Sequence, residues 1–176
     1  MMLFESSAPT EGLTPVKTGG GNPKYSIITP VYNREDCIGR CIESVVANLK
    51  WCEALEHIVV DDGSTDYTAQ IIESFADIYT HIKYIKFEQN RGTNAARNAA
   101  IAEARGDFCI VLDSDDCFAP NALQTIDNVV SKNSYRHYLF QADDLVSSHE
   151  ENFLLKGRQQ RVVSFTDFLS GCLNVG

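Results

Sequence analysis

Basic residues are in short supply in this chain. Its 176 residues carry 15 lysines and arginines against 24 aspartates and glutamates, a formal net charge of -9. Nucleic-acid grooves are lined by a basic stripe, and no such stripe is present, so a nucleic-acid partner is excluded. The one basic cluster, Lys156, Arg158 and Arg161, reads as a solvated loop. Long apolar runs are missing too. The longest are strand-sized, far short of the ~20 residues a membrane-crossing helix needs, so no transmembrane segment is expected, and peripheral contact with a membrane stays open. The N-terminus lacks the basic start and apolar stretch of a signal peptide. None of the six cysteines, Cys37, Cys41, Cys52, Cys109, Cys117 and Cys172, forms a C-x-x-C pair, so they read as free thiols rather than zinc ligands. Free thiols fit a reducing cytoplasm. The four histidines show no metal-ligand spacing, and no G-x-G-x-x-G follows the first strand, which argues against a dinucleotide-binding oxidoreductase.

With 44% hydrophobic and 22% charged residues, the chain has the balance of one globular domain with a core. Residues 1–24 hold three of the five prolines and Gly19-Gly20-Gly21 with little apolar periodicity, and read as a mobile tail. The ordered domain, 25–176, is expected to open with a buried strand, Tyr25 to Val31, closed by Pro30. A helix follows over 35–49, with Ile38, Ile42, Val45, Val46 and Leu49 three and four residues apart. The second strand is expected over 54–60, followed by a helix capped by Ser64, Thr65 and Asp66, with Ile71, Ile72 and Phe75 inward. The third strand, 82–87, precedes a small-residue helix over 93–104, and a fourth strand, 107–112, precedes a helix with Pro120 in its first turn. A fifth strand over 137–141, a short strand at Val162-Val163 and a short helix over 165–170 complete the reading.

Strands alternating with helices imply βαβ units and a largely parallel sheet covered on both faces, a three-layer α/β sandwich. With the first strand central, the second and third on one side and the fourth on the other, the reversal of strand order opens a crevice at the carboxyl ends, where such folds bind ligands. Acid collects there. His57 to Val60 runs into Asp61-Asp62-Gly63-Ser64, and Phe108 to Leu112 runs into Asp113-Ser114-Asp115-Asp116. Like charges ~5 Å apart at an effective dielectric near 20 cost about 3 kcal/mol per pair, which a divalent cation would relieve. Hard cations such as Mg²⁺ and Mn²⁺ use one or two protein carboxylates and let substrate phosphates complete the shell, an arrangement that suits Asp113-x-Asp115. The second acid pair suits the donor groups of a nucleoside. Arg97, near the start of a helix, can reach a bound phosphate or make a surface ion pair.

Four segments in order resemble the family 2 glycosyltransferases of GT-A fold: Ser26 to Asn33, Val59 to Asp66, Asn90-Arg91-Gly92 with Ala96-Arg97-Asn98, and Leu112 to Asp116. The resemblance covers about 24–130, the donor-binding half of a member. It implies transfer of a sugar, with inversion, from a nucleotide diphosphate sugar, UDP-linked by expectation, to an acceptor hydroxyl on a glycan or lipid-linked molecule. It further implies that Pro30 and Tyr32 border the nucleobase, that Asp62 accepts its N–H, and that Asp113 contacts the ribose or metal-side groups. Asp115 would ligate Mn²⁺ or Mg²⁺, Arg97 would sit near the nucleotide, and Glu35 and Asp116 match commonly acidic positions. The catalytic base is not identifiable: Asp143, Asp144 and Asp167 qualify by chemistry alone. About 60 residues follow Asp116, so the acceptor half reads as incomplete, and a nucleotide-sugar binding module without turnover is the alternative. A phosphoacceptor signalling domain also gathers aspartates at strand ends, but pairs them with a lysine on a late strand that 137–141 does not offer.

Overall fold

The computed structural model describes residues 2–5, 22–52, 54–132 and 137–139, all within one compact unit spanning Met1–Ala142. The expected elements at 162–163 and 165–170, the three candidate bases and the basic cluster lie outside the described residues. Strand β1 is Met2–Glu5, β2 Tyr25–Val31, β3 Leu55–Asp61, β4 Ile82–Lys86, β5 Phe108–Val111 and β6 His137–Leu139. Helix α1 is Ile38–Asn48, α2 Thr68–Ile78, α3 Thr93–Glu103 and α4 Ala122–Lys132. The strands form one sheet in the order β4-β3-β2-β5-β1-β6. The four strands β4, β3, β2 and β5 are parallel, as their alternation with helices requires.

Residues 2–5 depart from the expected tail. They form β1, antiparallel to β5 with Met2 opposite Val111 and Glu5 opposite Phe108, and antiparallel to β6 on its other side. The apolar run Met1 to Phe4 is too short to stand out as a strand in the sequence. What pairs it is the row of backbone groups that β5 would otherwise expose.

Both faces of the sheet are covered, by different means. On one, Ile38, Cys41, Ile42 and Val45 of α1, Ile72 of α2 and Leu123, Ile126 and Val130 of α4 pack on Tyr25, Ile27, Val31 and Val59. These positions recur at three and four residues, the spacing of a helical stripe. On the other face, Ala96 and Ala100 of α3 and Ala104 beyond it meet Ile28, Ile58, Val60 and Cys109. Small side chains let that helix lie close to the strands. Among the described residues no helix is long and apolar enough to cross a membrane.

Two of the buried polar groups matter to the framework itself. At the amino-terminal end of the strands, buried Glu56 accepts from the Ser26 hydroxyl at 2.7 Å, from the Arg105 N–H at 2.6 Å and from the Arg105 guanidinium at 2.8 and 3.0 Å. That charge is structural. The second is His57, fully buried, whose Nε2 lies 2.9 Å from the Thr29 hydroxyl while Nδ1 has no partner among the described residues. Burial, with a smaller push from His81, lowers its pKa from 6.5 to about 3. Below pH 6.5 the unfolded chain therefore takes up a proton that the folded chain refuses, and stability falls as pH drops toward 3. Between pH 6.5 and 4.5 this one group removes roughly 2 kcal/mol, the slope approaching ~1.4 kcal/mol per pH unit once the unfolded histidine is fully protonated. Urea unfolding at the two pH values is expected to show that loss in the wild-type chain and a correspondingly smaller one in His57→Gln; equal losses would rule the histidine out.

Candidate functional site

The carboxyl end of β2 is where the sheet opens. Alternate residues of a parallel strand address alternate neighbours: Ile28 faces β5, its carbonyl accepting the Leu112 N–H at 3.0 Å, and Val31 faces β3, its carbonyl accepting the Asp62 N–H at 2.8 Å. Pro30 shares the side of Ile28 and has no N–H with which to continue that ladder. Pairing with β5 accordingly stops at Ile28–Val111, whereas pairing with β3 runs on to Val31–Asp61. The strand continues one residue past Pro30 rather than ending on it, and the proline opens the crevice the strand order anticipates.

On the β3 side, Asp61 and Asp62 do different work. Asp61 is fully buried; one carboxylate oxygen takes the Ser64 N–H at 2.8 Å and the other the Tyr84 hydroxyl at 3.2 Å. Burial first and then this carboxylate push the Tyr84 hydroxyl's pKa up. Asp62, 2% exposed, accepts the Arg91 N–H at 2.7 Å through one oxygen and the Gly92 N–H at 2.8 Å through the other. It thereby ties the loop before α3 to the end of β3. Tyr32 stands 40% exposed at the rim.

The loop from β2 to α1 is laced to the loop from β3 to α2. Ser64 and Thr65 do not cap α2 as the sequence suggested: Ser64 Oγ accepts the Asn33 N–H at 2.9 Å, and the Thr65 N–H donates to Asn33 Oδ1 at 2.9 Å. The start of α2 is satisfied by Asp66, which takes the Thr68 N–H at 3.0 Å, and by Glu35, whose Oε2 takes the Tyr67 N–H at 2.8 Å. The Arg34 and Glu35 N–H groups return bonds to Thr68 Oγ1 at 2.8 Å and Asp66 Oδ2 at 3.2 Å. Burial pushes the Asp66 carboxyl up, and the hydrogen bonds from Thr68 and Glu35 outweigh it, leaving it below the usual carboxylate range. Because 33–37 is used in this way, α1 starts at Ile38 and not at 35.

Across the crevice, Asp113, Asp115 and Asp116 are exposed. Partial desolvation, then the negative charges of Asp115 and Asp113, raise the Asp116 carboxyl above its usual range. Arg97 reaches Asp113 Oδ1 with Nη2 at 3.4 Å, a solvent-facing pair of little energetic weight; its buried Nε has no partner among the described residues. Among those residues no group of three or more His, Cys, Asp or Glu could enclose a metal. Two exposed aspartates beside an arginine fit a cation that takes most of its ligands from phosphates and water.

The segment after Asp113 hangs on one side of α1. Cys41 Sγ donates to the Asp113 carbonyl at 3.7 Å, Ser44 Oγ accepts the Phe118 N–H at 2.9 Å, and buried Asn48 donates to the Ala119 carbonyl at 3.2 Å and accepts the Leu123 N–H at 3.3 Å. Pro120 lies in the turn before α4, not in its first turn; the Ala122 N–H bonds back to Ala119 and Asn121 takes a φ of 64°. Burial pushes the Cys41 thiol up to about 12, so it serves as a donor and not as a nucleophile.

This is a crevice built around charge, and comparison shows whose it is. Residues 26–162 match the family model described as glycosyl transferase family 2. The chain belongs to glycosyl transferase family 2. Among family relatives, the minor teichoic acid biosynthesis protein GgaA of Bacillus subtilis strain 168 is 44% identical over 106 residues, 58% of this chain and 24% of GgaA. The poly(ribitol-phosphate) beta-glucosyltransferase of Bacillus spizizenii is 40% identical over 101 residues, 57% of this chain and 16% of that protein. Among solved structures, S. aureus TarS 1–349 in complex with UDP-GlcNAc superposes with a TM-score of 0.56 at 32% identity, over 62% of this chain and 31% of that one. The mannosyltransferase PcManGT from Pyrobaculum calidifontis, in complex with GDP-Man and Mn²⁺, gives 0.53 at 25% identity, over 58% and 31%. The chain thus spans less than a third of each of these relatives. The α/β fold expected from the family resemblance is the one they share with it.

Proposed function

We propose that this chain supplies the donor-binding part of a metal-dependent glycosyltransferase. It would move a sugar, with inversion, from a nucleoside diphosphate sugar to the hydroxyl of a glycan or lipid-linked acceptor in polysaccharide or glycoconjugate synthesis, at the inner face of the membrane. The observation that carries this reading is the division of one crevice into a buried acid, Asp62, and a solvent-facing pair, Asp113 and Asp115, with Arg97 alongside. The UDP-GlcNAc bound by TarS and the GDP-Man and Mn²⁺ bound by PcManGT support it. So do the names of GgaA and the Bacillus spizizenii enzyme, one for teichoic acid biosynthesis and the other for glucosyl transfer to poly(ribitol-phosphate). The UDP complexes of the TarS chains support UDP as the nucleotide in this reading.

In this reading Pro30 and Tyr32 border the base. Each Asp62 oxygen has two lone pairs and spends one on a backbone N–H, so a lone pair is left to accept the N–H of a uracil. Asp113 would meet the ribose, Asp115 would hold Mn²⁺ or Mg²⁺, and Arg97 would turn from Asp113 toward the phosphates. A bound cation supplies Lewis-acid neutralisation of the charge that grows on the leaving diphosphate. Glu35, assigned to the nucleotide from the sequence, acts here through the loop it caps.

Titrating UDP with and without Mn²⁺ tests the reading. In the wild-type chain Mn²⁺ is expected to tighten UDP binding, and in Asp115→Ala to do so about 30-fold less, equal to about 2 kcal/mol, with an unchanged melting temperature. Affinity indifferent to metal, or unaltered in Asp115→Ala, would overturn it. Release of UDP from UDP-sugars in the presence of acceptor then separates transfer from binding alone.

A further inference from the structure

Asn33 belongs to none of the groups assigned to donor or metal, yet more cross-loop bonds converge on it than on its neighbours. Its backbone lies in the left-handed region, φ 49°, which asparagine tolerates better than other residues with a side chain. That conformation turns its N–H to Ser64 Oγ at 2.9 Å and its Oδ1 to the Thr65 N–H at 2.9 Å and the Thr65 hydroxyl at 3.4 Å. Ser64 is itself fixed from behind: its N–H donates to Asp61 Oδ1 at 2.8 Å, and Asp61 is held by the Tyr84 hydroxyl at 3.2 Å. A continuous chain of bonds therefore crosses from β4 through the end of β3 to the loop after β2. Tyr32 directly precedes Asn33, and Asp62 lies two residues before Ser64.

We propose that Asn33 is a positioning residue that, through Ser64 and Thr65, sets the separation of Tyr32 from Asp62 and so the fit of the nucleoside. The proposal rests on the donor-site reading and adds to it the group that holds the nucleoside side in register. Two properties of the residue are needed together, the left-handed backbone and the side-chain acceptor, and substitutions separate them. Asn33→Gly keeps the backbone and loses the acceptor, Asn33→Ala loses both, and Asn33→Asp keeps both.

The ligand that isolates this side is uridine, which carries no phosphate and engages no cation. In NMR titrations of the labelled chain, Asn33→Gly and Asn33→Ala are expected to bind uridine about tenfold more weakly than wild type, the equivalent of about 1.4 kcal/mol. Asn33→Asp is expected to restore affinity to near the wild-type value. The ratio of UDP affinities with and without Mn²⁺ should stay unchanged throughout, since the metal side is not gripped by this residue; a general loosening of the fold would lower both. Amide exchange at Thr65, read without ligand, should quicken in Asn33→Gly and not in Asn33→Asp. Wild-type uridine affinity in Asn33→Gly, failure of Asn33→Asp to restore it, or a parallel fall in the Mn²⁺ ratio would each overturn the proposal. Should Asn33→Ala fail to fold, Ser64→Ala removes the acceptor of the Asn33 N–H and is expected to weaken uridine in the same sense. A wild-type chain that binds neither uridine nor UDP, while Thr65 exchange still responds to Asn33→Gly, overturns the donor-site reading and this role with it, and is told apart from an absent clasp by that exchange.

Discussion

A Gly63→Ala chain is expected to lose roughly 2–5 kcal/mol of stability, the largest effect of any single methyl group near the crevice. Two costs add. Gly63 has a φ of +75°, where an L side chain is strained by about 1–2 kcal/mol. A Cβ built there would also stand 2.6 Å from the carbonyl carbon of Gln89 and 2.8 Å from the Asn90 nitrogen, backbone atoms that cannot swing aside, and overpacking of this kind costs about 1–3 kcal/mol. Gly92 offers a contrast. Its φ of 92° and ψ of 150° lie in a region essentially reserved for glycine, but nothing lies within 4 Å of the position a Cβ would take, so Gly92→Ala should show backbone strain of about 1–3 kcal/mol and no overpacking. Urea unfolding at neutral pH measures both variants; a loss under about 1 kcal/mol in Gly63→Ala would mean that the 89–90 backbone yields.

The second large effect belongs to Asp62. Replacing it by alanine leaves the Arg91 and Gly92 N–H groups without the carboxylate that holds them at 2.7 and 2.8 Å, and removes the acceptor assigned to the base. Asparagine is scarcely better, because its amide presents one oxygen where two are in use and turns an N–H₂ toward a backbone N–H. Both variants are expected to bind UDP at least tenfold more weakly, or about 1.4 kcal/mol, with Mn²⁺ and without it. Asp115→Ala, by contrast, should lose only the increment that Mn²⁺ adds. Calorimetric titration of the three variants separates the two acid groups: a metal-dependent loss in Asp62→Asn would mean that both serve the cation.

The expectation that two strands end in acidic clusters was legible because it follows from spacing. Runs such as Val59-Val60-Asp61-Asp62 and Val111-Leu112-Asp113 place apolar residues in a sheet and acids just beyond it, and the arrangement supposed for the parallel strands, with β2 between β3 and β5, is the one observed. What the sequence could not reveal is which acid is spent on the protein itself. Asp61 and Asp62 are adjacent and identical, yet one is sealed between Ser64 and Tyr84 and the other faces the loop before α3. Only tertiary position separates them. Glu35 was matched to a commonly acidic position of the family; that its carboxylate takes the N–H of Tyr67, thirty-two residues away, was not legible from that match. Residues 2–5 escaped notice for a similar reason, since four residues gain their strand from a neighbour's unpaired edge and not from any pattern of their own. Asn33 left one usable signal: an asparagine between a strand and a helix is a candidate for the left-handed backbone it adopts.

The helix α1 and the loop before it hold both jaws of the crevice at once. Asn33, Arg34 and Glu35 grip 64–68, and Cys41, Ser44 and Asn48, stacked along one side of the helix, grip the backbone from Asp113 to Leu123. On the donor-site reading, the spacing between nucleoside and diphosphate would be ruled off by a helical measure, at 1.5 Å per residue, and not by a hinge. Donors that differ in the length from base to phosphate would then not be accommodated by opening the jaws. A graft meant to carry this crevice into another scaffold would have to move residues 33–48 as one piece, together with both loops they span.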